Sequence, residues 1–288
     1  MRILLQTTIP TTEDDWSIAR FRKLADCLRG LCDPSDDRPF DVIIRDRDVI
    51  GQPDHILSTL DRQPFDELWL FAVDEGSGLT GEDCAGISRF WSNGGGLLVA
   101  RDHMDLGSSV CGLAAIGQAH HFHTKNLDPD ESARRIDDPY TKHISWPNFH
   151  SGSNGDYQEI RAVGGVHPVL AHPTSPNGAL QYLPAHPHEG SVGAPPHEEA
   201  RVIAMGTSKT TGRHFNIAVA FEPTGGRGAA LAASTFHHFA DYNWDPRSGA
   251  PTFVDEPAGS SMLQNPEAIL HTRRYVENIA LWLTPRQH

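Results

Sequence analysis

Gly94-Gly95-Gly96-Leu97-Leu98-Val99-Ala100-Arg101-Asp102-His103-Met104-Asp105 is the stretch that decides the fold. The unbroken apolar run at 97–100 is typical of a strand that is buried on both faces of a parallel sheet. The glycines before it suit the end of a helix and a tight turn into the strand. Polar residues follow at once, and ligands of open parallel sheets bind beyond the carboxyl ends of the strands. The segment 101–105 is therefore a candidate site, although a polar connecting loop would have the same sequence pattern.

The flanking sequence predicts an α/β fold with a mostly parallel sheet flanked by helices. Strands are predicted at 2–6, 40–44 and 67–73, helices at 16–31 and 80–93, and a short helix at 56–60. The alternation of strand and helix favours parallel, right-handed connections. Residues 107–196 form long, irregular loop insertions, after which strands are predicted at 200–207, 213–221 and 228–234 and a helix at 266–283. No linker composition interrupts the chain, so we predict one domain over 1–288.

Composition excludes several classes of protein. The 288 residues carry a formal net charge of -13, which disfavours a nucleic-acid partner because phosphate binding needs clustered Lys and Arg. The sequence has no apolar run of about 18 residues, so we expect no membrane span. The first residues become polar too soon for a signal peptide. The four cysteines show no Cys-x-x-Cys spacing and predict free thiols in a reducing cytoplasm.

Histidine is the anomaly of the composition, with 17 residues, several of them in pairs or alternating. In the segments 121–123 and 186–188, two histidines are separated by one residue, which directs both rings to the same side of an extended chain. Imidazoles and carboxylates that meet can hold a divalent metal such as zinc. They can also act as general acid and base, since histidine titrates near neutral pH. No His-Glu-x-x-His or cysteine-rich metal motif is present.

Four segments, taken in order, resemble the ThuA-like (trehalose utilisation) family, whose fold is similar to that of class I glutamine amidotransferases. Residues 79–103 resemble the family's helix, glycine triplet, strand and terminal histidine, and residues 118–123 resemble its Gly-x-x-Phe-x-x-His region. The segment 166–169 resembles its His-Pro-Ile turn, and residues 226–238 resemble its last glycine-rich turn, strand and Gly-His. The resemblance implies a class I glutamine amidotransferase-like (flavodoxin-like) fold with long loop insertions, and an association with sugar metabolism.

This sequence departs from the family at two places. The segment His186-Pro187-His188-Glu189 stands where the family carries an acidic pair, and His237-His238 replaces its last Gly-His. True amidotransferases place a nucleophilic cysteine at the turn after the central strand, where this chain has Asp102 and His103. We therefore do not expect a Cys-dependent glutaminase. Cys84 and Cys111 are typical of small buried hydrophobic residues.

The sequence gives three sets of candidate site residues at the expected carboxyl edge of the sheet. The candidate catalytic residues are His103, His237, Asp102 and Glu189. The candidate metal ligands are His103, His186, His188, Glu189 and His238. The candidate substrate-binding residues are Asp105, His121, Asp241 and Trp244, although Asp105 and Asp241 also fit helix caps and Trp244 also fits the core.

Two functions remain open at this level. The first is an enzyme, a hydrolase or an isomerase, acting on a polar small molecule such as a carbohydrate derivative through a histidine-rich, metal-binding pocket. The second is a non-catalytic amidotransferase-like module for ligand sensing or for oligomerisation with further copies of the chain. The second function predicts that His186, His188 and His238 point to solvent or to separate places.

Overall fold

Twelve strands and six α-helices form in the part of the chain that a computed structural model describes, residues 1–32, 37–137, 141 and 143–285. The strands are β1 (Arg2–Thr7), β2 (Asp41–Arg45), β3 (Glu67–Phe71), β4 (Gly96–Ala100), β5 (His120–His121), β6 (Tyr157–Glu159), β7 (Arg161–Ala162), β8 (Tyr182–Pro184), β9 (Ser191–Val192), β10 (Ala200–Thr207), β11 (His214–Phe221) and β12 (Ala230–Ala233). The α-helices are α1 (Arg22–Arg29), α2 (Gly81–Ser92), α3 (Ala114–Gln118), α4 (Asp241–Trp244), α5 (Ser261–Gln264) and α6 (Pro266–Leu283).

The main sheet has eight strands in the order β2-β1-β3-β4-β12-β11-β10-β7. The five strands from β2 to β12 run parallel to their neighbours, which confirms the predicted α/β fold with a mostly parallel sheet. The remaining contacts, from β12 through β11 and β10 to β7, are antiparallel. Residues 208–213 between β10 and β11 are too few for the crossover that a parallel pair needs, so these two strands form a hairpin.

Helices cover both faces of the sheet, which is why β3 and β4 are buried along their whole length. Side chains alternate across a strand, so Leu98 and Ala100 pack on the side of α1 and α6, while Leu97 and Val99 pack on the side of α2. The apolar run at 97–100 is therefore a strand buried on both faces, as its sequence predicts.

The helix boundaries show where tertiary contacts modify the local pattern. Helix α2 begins at Gly81 because Thr80 and Asp83 form a reciprocal capping box. The predicted helix at 16–31 is instead a 3-10 turn at Ile18–Arg20 followed by α1. The helix begins late because the carboxylate of Asp241 accepts the first backbone N–H groups of α1, those of Arg22 and Lys23.

The insertions fold over the carboxyl edge of the parallel strands. They contain two short antiparallel ribbons, β5 with β9 and β6 with β8. The backbone N–H of Gly190 donates to Ser234 O at 3.2 Å, which fixes the segment after β8 directly above the end of β12. None of the helices in the described ranges is both long and apolar enough to cross a lipid bilayer.

Candidate functional site

Two polar segments meet because β4 and β12 are parallel neighbours. In their register, Ala100 lies opposite Ala233, so the residues after both strands leave the same edge of the sheet. The backbone N–H of Phe236 donates to Arg101 O at 2.8 Å and continues the pairing beyond the strands. This arrangement brings the side chains of Asp102 and His237 together.

A third segment supplies two more imidazoles from above. The Ser151 hydroxyl accepts the backbone N–H of His186 at 2.9 Å and fixes the segment that follows β8. The ring of His188 lies 5.2 Å from that of His103, and the ring of His186 stacks on that of His237 at 3.6 Å and 10°. We refer to Asp102, His103, His186, His188 and His237 as the histidine cluster.

Asp102 lies at the centre of the histidine cluster and is 3 % exposed. Its Oδ2 lies 3.0 Å from Nδ1 of His103 and 3.7 Å from Nε2 of His237. Its Oδ1 lies 3.1 Å from Nε2 of His186 and accepts the Thr235 hydroxyl at 3.3 Å. Three imidazoles therefore surround one carboxylate that is almost entirely removed from water.

The pKa values of Asp102 and His186 are both shifted within the histidine cluster. Burial alone would raise the pKa of Asp102, but the imidazoles of His186 and His103 outweigh this effect and hold it well below the usual range. Burial, reinforced by His237, holds the pKa of His186 well below that of a free imidazole, so its ring is neutral at pH 7. The Nε2 of His186 has no hydrogen-bond partner although a carboxylate oxygen lies 3.1 Å away.

Each ring of the histidine cluster has an outer partner. His103 contacts Asp102, and His188 lies near Glu256. The rings of His186 and His237 each contact the side-chain amide of an asparagine. The Nε2 of His188 lies 3.7 Å from Glu256 Oε1 and 3.2 Å from the Thr141 hydroxyl. Such outer partners orient histidines that bind metals and set which nitrogen carries the proton.

Glu189 and His238, two of the predicted metal ligands, lie in a separate buried group. Alternation along the extended segment turns Glu189 away from the side of His186 and His188. Its carboxylate accepts the hydroxyls of Ser151 at 2.6 Å and Ser234 at 2.8 Å, and a side-chain N–H of Gln158. The Nε2 of His238 lies 3.4 Å from the same carboxylate. This group fixes the segment and does not join the histidine cluster.

The four predicted substrate-binding residues also have other partners. Asp105 accepts the backbone N–H and the hydroxyl of Thr124, and His121 lies on β5 with its Nδ1 at 3.1 Å from Asn126 O. Asp241 caps α1, the alternative that the sequence left open. Trp244 is 4 % exposed and donates to His238 O, so it belongs to the core. None of these four contacts the histidine cluster through a hydrogen bond or ion pair given by the described residues.

The turn after β4 is also shaped by a buried cation. The guanidinium of Arg101 is fully buried, lies 4.1 Å over the ring of Phe122 and donates to Met104 O. Burial lowers its pKa to about 9. A Cβ at Gly190 would overlap Nη1 of Arg101 and lie 2.6 Å from Asp102 O, so only glycine fits there. Burial raises the pKa of the Cys84 thiol to about 11, which keeps this thiol protonated.

A second group of potential ligands, Asp48, Asp54 and His55, differs in having its own cation. The guanidinium of Arg45 lies 2.7 Å from Asp54 and 2.9 Å from Asp48. Because these carboxylates are already paired, the group has no need of a metal. Among the described residues, no arginine forms an ion pair with Asp102, although the buried guanidinium of Arg101 interacts with this carboxylate from farther away.

Sequence reasoning missed the outer residues Asn154, Asn243 and Glu256. Buried amides leave no pattern in a single sequence, and Glu256 lies in a loop whose path depends on the rest of the fold. Asn243 follows the predicted strand end by only a few residues, but its role became visible only from its contact with His237.

No protein-family model and no curated protein matches the chain. Among solved structures, it is similar to a protein described as ThuA-like from Parabacteroides merdae, with 14% identity and a TM-score of 0.49 over 100% of this chain and 92% of that one. It is also similar to the glutaminase domain of Trypanosoma brucei CTPS with bound acivicin, with 12% identity and a TM-score of 0.49 over 100% and 96% of the two chains. An exo-beta-1,4-mannosidase from an Opitutaceae bacterium matches with 10% identity and a TM-score of 0.35 over 99% of this chain and 36% of that one. These likenesses concern the fold and assign no activity.

Proposed function

We propose that the histidine cluster binds one divalent transition metal ion, with zinc as the best fit, and that the chain is an enzyme acting on a polar small molecule. The observation that carries this proposal is the 3.1 Å approach of His186 Nε2 to the Asp102 carboxylate, in a buried group of potential ligands that also contains His237. Two lone pairs facing each other in a buried site repel unless a positive charge lies beside them.

The spacing of the ligand atoms supports a metal. Bonds from zinc to imidazole nitrogen and to carboxylate oxygen are about 2.0–2.2 Å, so neighbouring ligand atoms lie roughly 3.0–3.5 Å apart. In the group of Asp102, His186 and His237, the Asp102 oxygens lie 3.1 Å from His186 Nε2 and 3.7 Å from His237 Nε2. His186 also belongs to a second group, with His103 and His188, whose ligand atoms all lie within 4.8 Å of one another.

The burial of the rings favours a catalytic centre over a purely structural one. His186, His188 and His237 are buried, while the side chain of His103 is 17% exposed. His103 thus faces the side from which a small molecule can arrive. A metal at such a place polarises a carbonyl or lowers the pKa of a water molecule. Asp102 would then hold the His103 ring in one orientation, and an imidazole of the cluster would move a proton to or from the substrate.

The substrate class follows the resemblance described above. We propose a carbohydrate derivative, and a hydrolase or isomerase reaction, because both reactions need proton transfer beside a polarised oxygen. The non-catalytic module predicts separated rings at positions 186, 188 and 238. His186 and His188 instead converge with His103, which favours the enzyme, while His238 lies apart.

Metal content tests the proposal directly. The protein is stripped of metal with a chelator, re-equilibrated with zinc or cobalt, and analysed by elemental analysis and by the visible spectrum of the cobalt form. We expect one ion per chain in the wild type, loss of that ion in His186→Ala, and retention in His55→Ala, which alters the other group of potential ligands. Failure of the wild type to retain a stoichiometric ion would reject the metal centre. A bound ion without turnover of any carbohydrate derivative in a substrate screen would favour the ligand-sensing module.

A further inference from the structure

Two buried amides connect the stacked rings of His186 and His237 from behind. Asn154 Oδ1 lies 2.9 Å from Nδ1 of His186, and Asn243 Oδ1 lies 2.8 Å from Nδ1 of His237. The Nδ2 of Asn243 donates to Asn154 Oδ1 at 2.8 Å and to Ala185 O at 3.0 Å. Asn154 and Asn243 are 2 % and 0 % exposed, so water does not compete for these bonds.

The hydrogen bonds determine the orientation of both amides. The Nδ2 of Asn243 faces two oxygen atoms, and only an NH2 group can donate to both. Its Oδ1 must therefore face His237. Asn154 Oδ1 accepts from Asn243 and is left as an acceptor toward His186. Both imidazoles consequently face carbonyl oxygens through Nδ1, and each Nδ1 must carry the hydrogen.

We infer that Asn154 and Asn243 are positioning residues that hold His186 and His237 as the Nδ1–H tautomer, so that both Nε2 lone pairs face Asp102. The neutral imidazole of the opposite tautomer would place a hydrogen on Nε2 and a lone pair against an amide oxygen. Four residues from three segments therefore act as one unit, because turning either amide breaks the bonds of the other.

The Nδ1–H tautomer forms whether or not a metal binds. The role of the Nε2 lone pairs as metal ligands rests on the proposed function. Metal-binding histidines need a free lone pair on the ligating nitrogen, and loss of an outer partner typically lowers metal affinity by about 10- to 100-fold. A purely structural role for the two amides would cost stability without changing the tautomer of a ring.

Nitrogen-15 NMR of the metal-free protein tests the inference. In ¹⁵N-histidine-labelled protein, at a pH where the rings are neutral, we expect both His186 and His237 in the Nδ1–H form. In Asn243→Leu we expect His237 to lose this preference, and the zinc dissociation constant to rise by about 10- to 100-fold. Asn278→Leu removes another amide, one that bonds Val169 O and Ala171 O, and should change neither ring.

The outcomes separate the two claims. Nε2–H tautomers in the wild type, or an unchanged His237 tautomer in Asn243→Leu, would overturn the inference. Nδ1–H tautomers in a protein that does not take up zinc would uphold the positioning role and reject the metal centre. If Asn243→Leu does not fold, Asn154→Leu gives the same test at His186 from a different segment.

Discussion

Removing the imidazole of His103 should abolish metal-dependent stabilisation while leaving the metal-free protein almost unchanged. The ring is partly exposed, and its Nδ1 forms a hydrogen bond with Asp102 at 3.0 Å. Losing one such bond costs about 1 kcal/mol where solvent can reach the position of the lost ring. The metal, by contrast, stabilises only the folded chain, because the ligands of the histidine cluster are distant in sequence and meet only there.

The expected shift can be worked out from the size of the chain. A ligand at 100 times its dissociation constant adds about 2.7 kcal/mol to the free energy of unfolding. For 288 residues at about 2.1 cal/mol/K each, the entropy of unfolding is about 0.6 kcal/mol/K. Zinc should therefore raise the melting temperature of the wild type by about 4–5 °C. If His103→Ala weakens zinc binding 100-fold, the zinc contribution to the free energy of unfolding falls to about 0.4 kcal/mol, and the shift in melting temperature falls below ~1 °C. The metal-free melting temperature should fall by less than ~2 °C.

Differential scanning calorimetry of chelated and zinc-loaded protein measures both quantities. His214→Ala is the matched control, because its exposed ring makes a comparable single bond to Thr207, at 3.0 Å, on the hairpin of β10 and β11. The control should keep the full zinc shift. An undiminished shift in His103→Ala would refute its role as a ligand. A metal-free loss of many degrees would show that the ring serves mainly the fold.

Three further predictions concern other parts of the molecule. Burial would raise the pKa of Asp54, but Arg45 and backbone N–H groups lower it to about 2. The ionised carboxylate therefore adds about 2 kcal/mol to the free energy of unfolding above pH 4, and this contribution is lost as the pH falls toward 2. Urea unfolding at pH 7 should show a free energy of unfolding about 2 kcal/mol lower in Asp54→Asn than in the wild type. Between pH 5 and pH 2.5 the free energy of unfolding should change less in the variant than in the wild type, and an equal change in both would contradict the assignment. Gly190→Ala should lower the melting temperature and the zinc affinity, because the new methyl group overlaps Arg101; a wild-type melting curve would disprove the tight fit. Burial raises the pKa of the Cys84 thiol to about 11, so this thiol is protonated and unreactive at pH 8. Mass spectrometry should therefore find Cys84 unmodified by iodoacetamide in the native protein and modified after unfolding. Rapid labelling of the native protein would contradict this prediction.

The sequence predicted the central strand and the polar edge because these depend on local pattern. Residues 97–100 form one unbroken apolar run, and a parallel sheet brings the residues after neighbouring strands to the same edge. The alternation in the segment 186–188 correctly placed both rings on one side. The same alternation turns Glu189 the other way, toward Ser151 and His238, so the prediction that His186, His188 and Glu189 share one site does not follow from the pattern.

Other features depend on contacts that no local pattern contains. Asp241 follows β12 closely, but it accepts N–H groups of α1, which lies more than 200 residues earlier in the chain. His237 and His238 are adjacent, yet one ring meets Asp102 and the other meets Glu189, because a 3-10 turn separates their directions. Nothing in the sequence favours either ring, since both have the same neighbours and chemistry.

The opposite edge of the sheet has a practical consequence for handling the protein. The end of α6 packs there against the start of the central strand, since a Cβ at Gly96 would overlap Leu283 O, and the Thr284 hydroxyl lies 3.1 Å from Met1 Sδ. Met1 and Thr284 therefore lie side by side, one strand length, about 16 Å, from the polar edge. A tag or surface attachment joined near either position would leave the histidine-lined edge turned toward the solution. Immobilised protein should therefore remain open to small molecules in a binding assay.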